Sequence, residues 1–217
     1  MSSNKEKNVK KFGFFMSGFL RHKIVDNKNM LKQMDKAGYI PVSALLQMDY
    51  SKSLTINDIK TIVDNDNKSR FSLKTVNDIE YIRANQGHSS KLSSYIDDNL
   101  LLPEKITKVD DINICIHGTY KEHVDNIKKS GLNRMDRLHI HLADGIPHYF
   151  KNKLPEKFRS LDVVMSGMRS DCTAIIIINM EKALEKMTFY KSENGVVLTR
   201  GINGTIPPEY FDSIVLC

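Results

Sequence analysis

Apolar residues at Val9, Phe12, Met16, Phe19 and Leu20 recur at close to helical spacing, which predicts an amphipathic helix over residues 9–22 that ends at Arg21 and His22. A Gly38-Tyr39-Ile40-Pro41-Val42 stretch then leads to Ser43, the expected N-cap of a short helix carrying Leu45 and Leu46. Leu54, Ile56, Ile59, Ile62 and Val63 predict another helix. Residues 70–73 and 79–84 alternate apolar and polar positions across a Thr/Asn/Asp turn, as a hairpin does. Helix, helix, hairpin is the order of a winged helix.

Beyond residues 101–111, which contain Pro103 and mixed charges, the apolar pattern changes from helical to mostly strand-like. A boundary is placed there, giving lobes at 1–105 and 106–217 and an α+β fold class. Strands are expected at 112–118, 138–143, 173–179, 195–199 and 213–216. The helix expected over 121–130 stops at Gly131, a residue suited to a helix C-terminus.

The chain has 217 residues, 41% of them hydrophobic and 27% charged, which excludes disorder as the dominant state. Its net charge of +6 is uneven. Residues 1–23 hold Lys5, Lys7, Lys10, Lys11, Arg21 and Lys23 against the single acid Glu6, a balance that suits a polyanionic partner. Cys115, Cys172 and Cys217 form no C-x-x-C pair, so a reduced, cytoplasmic setting is expected. The longest aliphatic block, 174–178, falls far short of the roughly 20 residues of a membrane span. Residues 12–20 follow a basic start, as a signal peptide's apolar core does. Arg21, His22 and Lys23 come next without a small-x-small cleavage site, so a helix is the expected fate of this segment.

Polar motifs punctuate the ends of the expected elements. Arg21-His22 closes the first helix, and Arg83-Ala84-Asn85-Gln86-Gly87-His88-Ser89 follows a strand. A cationic helix end that satisfies the helix dipole and a polar turn around Gly87 account for these two by themselves. His117-Gly118-Thr119 at a strand end and Arg137-Leu138-His139-Ile140-His141 at a strand start add a functional reading. In a strand His139 and His141 share one face while Leu138, Ile140 and Leu142 take the other. His139-x-His141-x-x-Asp144 approaches the H-x-H-x-D spacing of binuclear hydrolases, yet Asp144 comes one residue late, and no metal is expected. His88-Ser89-Ser90 and His117-Gly118-Thr119 also satisfy the paired H-x-[ST] pattern of two-histidine phosphodiesterases, at a short separation. His123 and His148 read as surface residues.

Taken in order, these motifs resemble the RNA 2′-phosphotransferase family, the NAD-dependent tRNA 2′-phosphotransferases. The resemblance runs through Phe19-Leu20-Arg21-His22, residues 38–46, Arg70-Phe71, residues 82–89, His117-Gly118-Thr119-Tyr120, residues 131–142, residues 192–199 and residues 206–210. It implies an N-terminal winged-helix lobe that takes an RNA phosphate and a C-terminal ADP-ribosyltransferase-like split β-sheet lobe that takes NAD. It implies an Arg-His-Arg-Arg active set, matching Arg21, His22, Arg83 and Arg137, with Arg134 three positions upstream as the other reading of the fourth member. Arg169 is a further candidate at the NAD or phosphate site. His117, Gly118 and Thr119 fall where the family contacts a dinucleotide ribose, and His139, His141 and Asn194 join them as candidate NAD contacts. A plain hairpin turn explains Asn194 and Gly195 equally well. A Lys-rich segment over 144–161 departs from the family pattern.

The activity implied is removal of an internal 2′-phosphate from RNA of the tRNA splice-junction type. The phosphate is first ADP-ribosylated by NAD and then transesterified, giving 2′-hydroxyl RNA, nicotinamide and ADP-ribose 1″,2″-cyclic phosphate. Arginine suits that chemistry, since a guanidinium fork grips phosphate oxygens in two places and stays charged. His22, an imidazole, suits either holding the phosphate or passing a proton to the departing RNA oxygen. The expected partners are 2′-phosphorylated RNA and NAD, with no metal, no membrane and a monomeric state. The rivals are an ADP-ribosyltransferase acting on terminal nucleic-acid phosphates or protein, and a non-catalytic winged-helix RNA-binding module.

Overall fold

The computed structural model describes residues 2–51, 54–146, 148–154, 156–158, 168 and 171–216. Contacts divide the chain into two compact units, Met1–Leu102 and Pro103–Cys217. Both mix helices with antiparallel sheet.

The first unit opens with helix α1, Ser2–Gly18, which buries Phe12 and Met16 completely. The helix does not run on unchanged to His22. At Phe19–Lys23 it widens into a π turn, closed by the Ile24 N–H donating to the Phe19 carbonyl five residues back. Phe19 and Leu20 are both buried there, and Phe15 stacks on Phe19 with ring centroids 5.6 Å apart. A wider turn lets two consecutive large side chains enter the core while Arg21 and His22 follow at its outer edge. Single π turns of this kind concentrate at functional sites.

Helix α2, Lys28–Leu31, and strand β1, Ile40–Pro41, come next. Helix α3, Val42–Leu46, starts one residue before the expected Ser43 cap; Pro41 takes the N-cap position without a side-chain hydrogen bond. Proline's fixed φ ends the strand and sets the helix entry at the same residue. Helix α4, Ile56–Asp64, is held by a Thr55/Asp58 capping box. Strands β2, Phe71–Val76, and β3, Ile79–Ala84, form the expected hairpin. Its two-residue loop, Asn77-Asp78, has φ of +49° and +62°, the left-handed pair of a type I′ turn. With β1 they make a sheet of order β1-β3-β2, and Phe12, Ile40, Leu45, Ile59 and Ile82 fill the core beneath. Helix α5, Asp98–Leu101, completes the unit.

The second unit contains a seven-stranded sheet. Its strands are β4 Glu104–Ile106, β5 Cys115–Thr119, β7 Ile140–Asp144, β8 Ala174–Ile178, β9 Phe189–Lys191, β10 Val196–Thr199 and β12 Phe211–Leu216. Their order is β12-β8-β5-β7-β10-β9-β4, antiparallel at every pairing. A two-stranded ribbon joins β6, Leu132–Asn133, to β11, Thr205–Ile206. Core packs on both faces of the large sheet: Ile176 and Ile178 belong to one cluster, Ile175 and Ile177 to the other. That two-sided burial is why β8 reads as an unbroken aliphatic run instead of an alternation.

Helix α6, Val124–Ser130, follows a 3₁₀ turn at Lys121–His123 and ends at Gly131. Gly131 has φ +82°, and a Cβ there would stand 2.4 Å from the Ile206 carbonyl oxygen, so both the conformation and the ribbon require glycine. Helix α7, Met180–Leu184, lies between β8 and β9. No helix among the described residues is long and apolar enough to cross a membrane.

Candidate active site

In the first unit the π turn and the segment after β3 are tied by the Ser89 N–H, which donates to the Arg21 carbonyl at 2.8 Å. The Arg21 side chain lies against Gly87; a Cβ at that residue, whose φ is +85°, would sit 3.3 Å from Arg21 Nε. Gly87 therefore serves both the turn and the seat of the guanidinium. His22 is exposed next to it.

Arg83 stands on β3 and is only 4% exposed. Its Nη1 donates to the carbonyls of Ala37 and Leu100, each at 3.3 Å, and its guanidinium carbon lies 4.7 Å from the centre of the Tyr39 ring. Burying a cation is costly unless polar partners replace water. Two carbonyls and an aromatic face do that here, and they also fix the plane of the fork. Asn85 braces the same turn, accepting from Ser72 Oγ at 2.7 Å and donating to the Ser69 carbonyl at 2.9 Å. His88 is buried against Gly38.

In the second unit, His117, Gly118, Thr119, Arg137, His139 and His141 line one cavity of about 440 Å³. The antiparallel neighbours β5 and β7 bring the His117 and His141 motifs together. His139 lies just before β7, 1% exposed, and Arg137 is exposed at the cavity's edge. The loop that carries Arg137 is braced by Arg134, whose Nη1 donates to the Arg137 carbonyl at 2.6 Å. Both arginines line the cavity.

Two hydrogen bonds fix imidazole tautomers. His117 Nδ1 lies 2.9 Å from the His141 carbonyl oxygen, and His141 Nδ1 lies 3.1 Å from that of His139. A carbonyl oxygen only accepts, so each Nδ1 carries the proton. In the neutral rings Nε2 then bears the lone pair, an acceptor suited to a hydroxyl group.

Asn194 does not join this cavity. It occupies the turn between β9 and β10, where its Oδ1 accepts from Ser192 Oγ at 2.8 Å. The register explains the separation: Val196 pairs with Ala143, whereas Thr199 pairs with Ile140, so the turn and the His139 end of β7 lie at opposite ends of the strand pair. Asp144 is committed elsewhere as well, accepting from the Asn113 N–H at 2.8 Å and from Lys191 Nζ at 2.9 Å. Among the described residues no group of three or more His, Cys, Asp or Glu gathers as metal ligands. Arg169, Cys217 and most of the Ser166-Gly167-Met168-Arg169-Ser170 motif lie outside the described residues.

Sequence reasoning passed over several residues of the cavity lining. Tyr120 donates its hydroxyl to Asp171 at 2.8 Å, and His123, exposed as expected, packs edge-on against that ring. Tyr120 directly follows the His117-Gly118-Thr119 motif, so position alone was the available signal. Cys172 also lines the cavity. The other buried thiol, Cys115, is pushed far up in pKa by burial and by the neighbouring Asp144 carboxylate, which makes it an inert core residue.

Comparison with known proteins leads to the same family. The chain is 35% identical over 201 residues to a putative tRNA 2′-phosphotransferase of Schizosaccharomyces pombe, covering 92% of this chain and 49% of that protein. It is 35% identical over 182 residues to tRNA 2′-phosphotransferase 1 of Bos taurus, covering 82% and 65% respectively. The tRNA 2′-phosphotransferase of Saccharomyces cerevisiae is 34% identical over 208 residues, covering 93% and 81%. The chain thus spans between about half and four fifths of these relatives' lengths. Residues 7–201 match the model of one family, so the chain belongs to the RNA 2′-phosphotransferase, Tpt1 / KptA family.

Proposed function

We propose that this chain removes an internal 2′-phosphate from RNA, of the kind left at tRNA splice junctions, with NAD as the acceptor co-substrate. The reading treats the first unit as a winged-helix lobe that grips the phosphate and the second as an ADP-ribosyltransferase-like lobe that takes NAD. The β2–β3 hairpin packed with α3 and α4 supports the first assignment. The observation that carries the second is the cavity lined by His117, Thr119, Arg137, His139 and His141, with two imidazoles in the tautomer that accepts from hydroxyls.

That donor and acceptor set fits a dinucleotide. Ribose hydroxyls pair with His117 and His141 Nε2 and with the Thr119 hydroxyl, while Arg137 meets negative charge at the edge. NAD supplies an electrophilic ribose carbon whose leaving group, nicotinamide, departs neutral. No metal is called on, because guanidinium groups neutralise the charge instead.

Arg21 and Arg83 of the first unit hold the non-bridging phosphate oxygens. Bidentate forks orient as well as neutralise, which matters for a monoester that must be aligned for attack and then displaced from O2′ of the RNA. Arg83 is the most rigid of the set, since Tyr39 and two carbonyls hold its plane. His22 is exposed on the π turn, and in this reading it protonates the departing O2′.

Incubating the protein with a 2′-phosphorylated oligonucleotide, with and without NAD, tests the reading. Complete conversion to 2′-hydroxyl RNA that requires NAD supports it. A stable ADP-ribosyl adduct points to the transferase rival, and binding without chemistry to the RNA-binding rival.

A further inference from the structure

A groove of about 820 Å³ lies between α1 and α4 in the first unit, lined by Gly13, Phe14, Ser17, Ile62 and Phe71. None of these belongs to the residues assigned to phosphate or NAD. Gly13 makes the groove's inner wall a close contact, with its Cα position packed near Ile62. Phe14 stands on the outer wall, 73% exposed.

Within the lining Lys10 and Arg70 balance Asp58 and Asp66, and the excess positive charge lies beside the groove on α1. Lys7, Lys10 and Lys11 are exposed on α1, at i−7, i−4 and i−3 from Phe14 and therefore on its side of the helix. The acids nearby are committed. Asp58 accepts from the Thr55 N–H and hydroxyl at 2.8 and 2.7 Å, and Asp66 pairs with Arg70. Lys10, Phe14, Ser17 and Arg21 follow one another at spacings of four, three and four, a single stripe leading from the groove to the π turn.

We propose that this groove binds the single-stranded RNA flanking the 2′-phosphorylated nucleotide, with one unpaired base stacked on Phe14 and backbone phosphates on Lys7, Lys10 and Lys11. The proposal rests on the reading of the chain as an enzyme of 2′-phosphorylated RNA. An exposed aromatic ring among cations is the general solution for single strands, because every base has a π face and every linkage a charge. An apolar helix from another protein would call for several apolar anchors on the outer face, where α1 offers Phe14 among lysines. Seven residues separate Phe14 from Arg21, about 10 Å along the axis, the rise of roughly three stacked nucleotides.

The test compares binding of 2′-phosphorylated oligonucleotides carrying one or six nucleotides on each side of the phosphate, measured by fluorescence anisotropy in the absence of NAD. Wild-type protein binds the longer one more tightly. Phe14→Ala weakens that binding roughly five- to a hundredfold, the range of one lost base–aromatic stack, and Phe14→Trp restores it. Lys10→Ala lowers the slope of log affinity against log salt by about 0.7, as expected for one single-strand phosphate contact. Circular dichroism confirms folding of each variant, which the exposure of Phe14 favours. Affinity that is independent of length, or unchanged by Phe14→Ala on the longer oligonucleotide, overturns the proposal and leaves the groove to a different occupant such as a protein segment. NAD-dependent turnover of the shorter oligonucleotide by wild-type protein is scored separately. Its absence defeats the enzymatic reading, whereas its presence alongside flat length dependence defeats the groove alone.

Discussion

His117 donates its Nδ1 proton to the His141 carbonyl oxygen at 2.9 Å, so the backbone of β7 dictates which nitrogen of the β5 histidine carries the lone pair. If that Nε2 accepts from an NAD ribose hydroxyl, His117→Ala removes one neutral hydrogen bond. A loss of about 1 kcal/mol, several-fold to tenfold in affinity, is the expected scale. KM for NAD rises accordingly, while the dissociation constant for 2′-phosphorylated RNA measured without NAD stays unchanged. Equal weakening of both ligands would remove His117 from the NAD site.

Arg83→Lys keeps the charge and loses the fork. The Tyr39 face and the Ala37 and Leu100 carbonyls are arranged for a planar guanidinium, and an ammonium reproduces neither contact set. The expected result is a fall in turnover of about a hundred- to a thousandfold, some 2.7–4 kcal/mol of barrier, with the folded state retained by circular dichroism. Near-normal turnover would make Arg83 a structural cation only.

Tyr39 offers a gentler probe of the same site. Its ring also carries Lys74 Nζ at 4.0 Å from the centroid, and Lys74 pairs with Asp35 at 2.8 Å. Tyr39→Phe keeps the face and is expected to keep turnover within about threefold. Tyr39→Leu removes a cation–π contact worth about 1–2 kcal/mol in a desolvated setting and lowers kcat roughly tenfold. The contrast between the two variants in kcat is the measurement, and identical values would show that the ring does not orient Arg83.

Asp144 gives the second unit a pH-dependent anchor. Burial acts to raise its pKa, but the hydrogen bond from Lys191, the N–H groups of Asn113 and Ile114 and the charge of Lys191 prevail and hold it below the ordinary 3.8. A depressed carboxylate stabilises the fold fully above its unfolded value, and that contribution fades as pH falls through the folded value. Asp144→Ala is therefore expected to cost about 1–3 kcal/mol at pH 7 through the donors left unsatisfied. Denaturant unfolding at a series of pH values checks this: the gap from wild type narrows below about pH 4, and a constant gap would assign it to packing.

Much of this arrangement is written in local pattern. The α4 stripe, the β2–β3 alternation and the Gly131 stop each follow from a spacing or a single residue, and each corresponds to an element in the fold. The π turn at Phe19–Lys23 was not legible, because consecutive Phe19 and Leu20 fit an ordinary helix almost as well, and only tertiary burial of both selects the wider turn. The short strands β4 and β9, three residues each, carry too few side chains to show a period. Of the candidate NAD contacts, the paired histidines and Thr119 meet in one cavity, since i and i+2 spacing and antiparallel pairing are local rules. Asn194 was a motif match without such a rule, and the β10 register carries it to the far end of the strand pair.

The most direct test follows the phosphorus atom. An oligonucleotide with a radiolabelled 2′-phosphate is incubated with the protein and NAD, and the label is traced by chromatography and mass. Arginines holding the monoester for transfer to a ribose require the label to leave RNA on an ADP-ribose cyclic phosphate, with one nicotinamide released per phosphate removed. Label appearing as inorganic phosphate, or leaving RNA at the same rate without NAD, would contradict that chemistry outright.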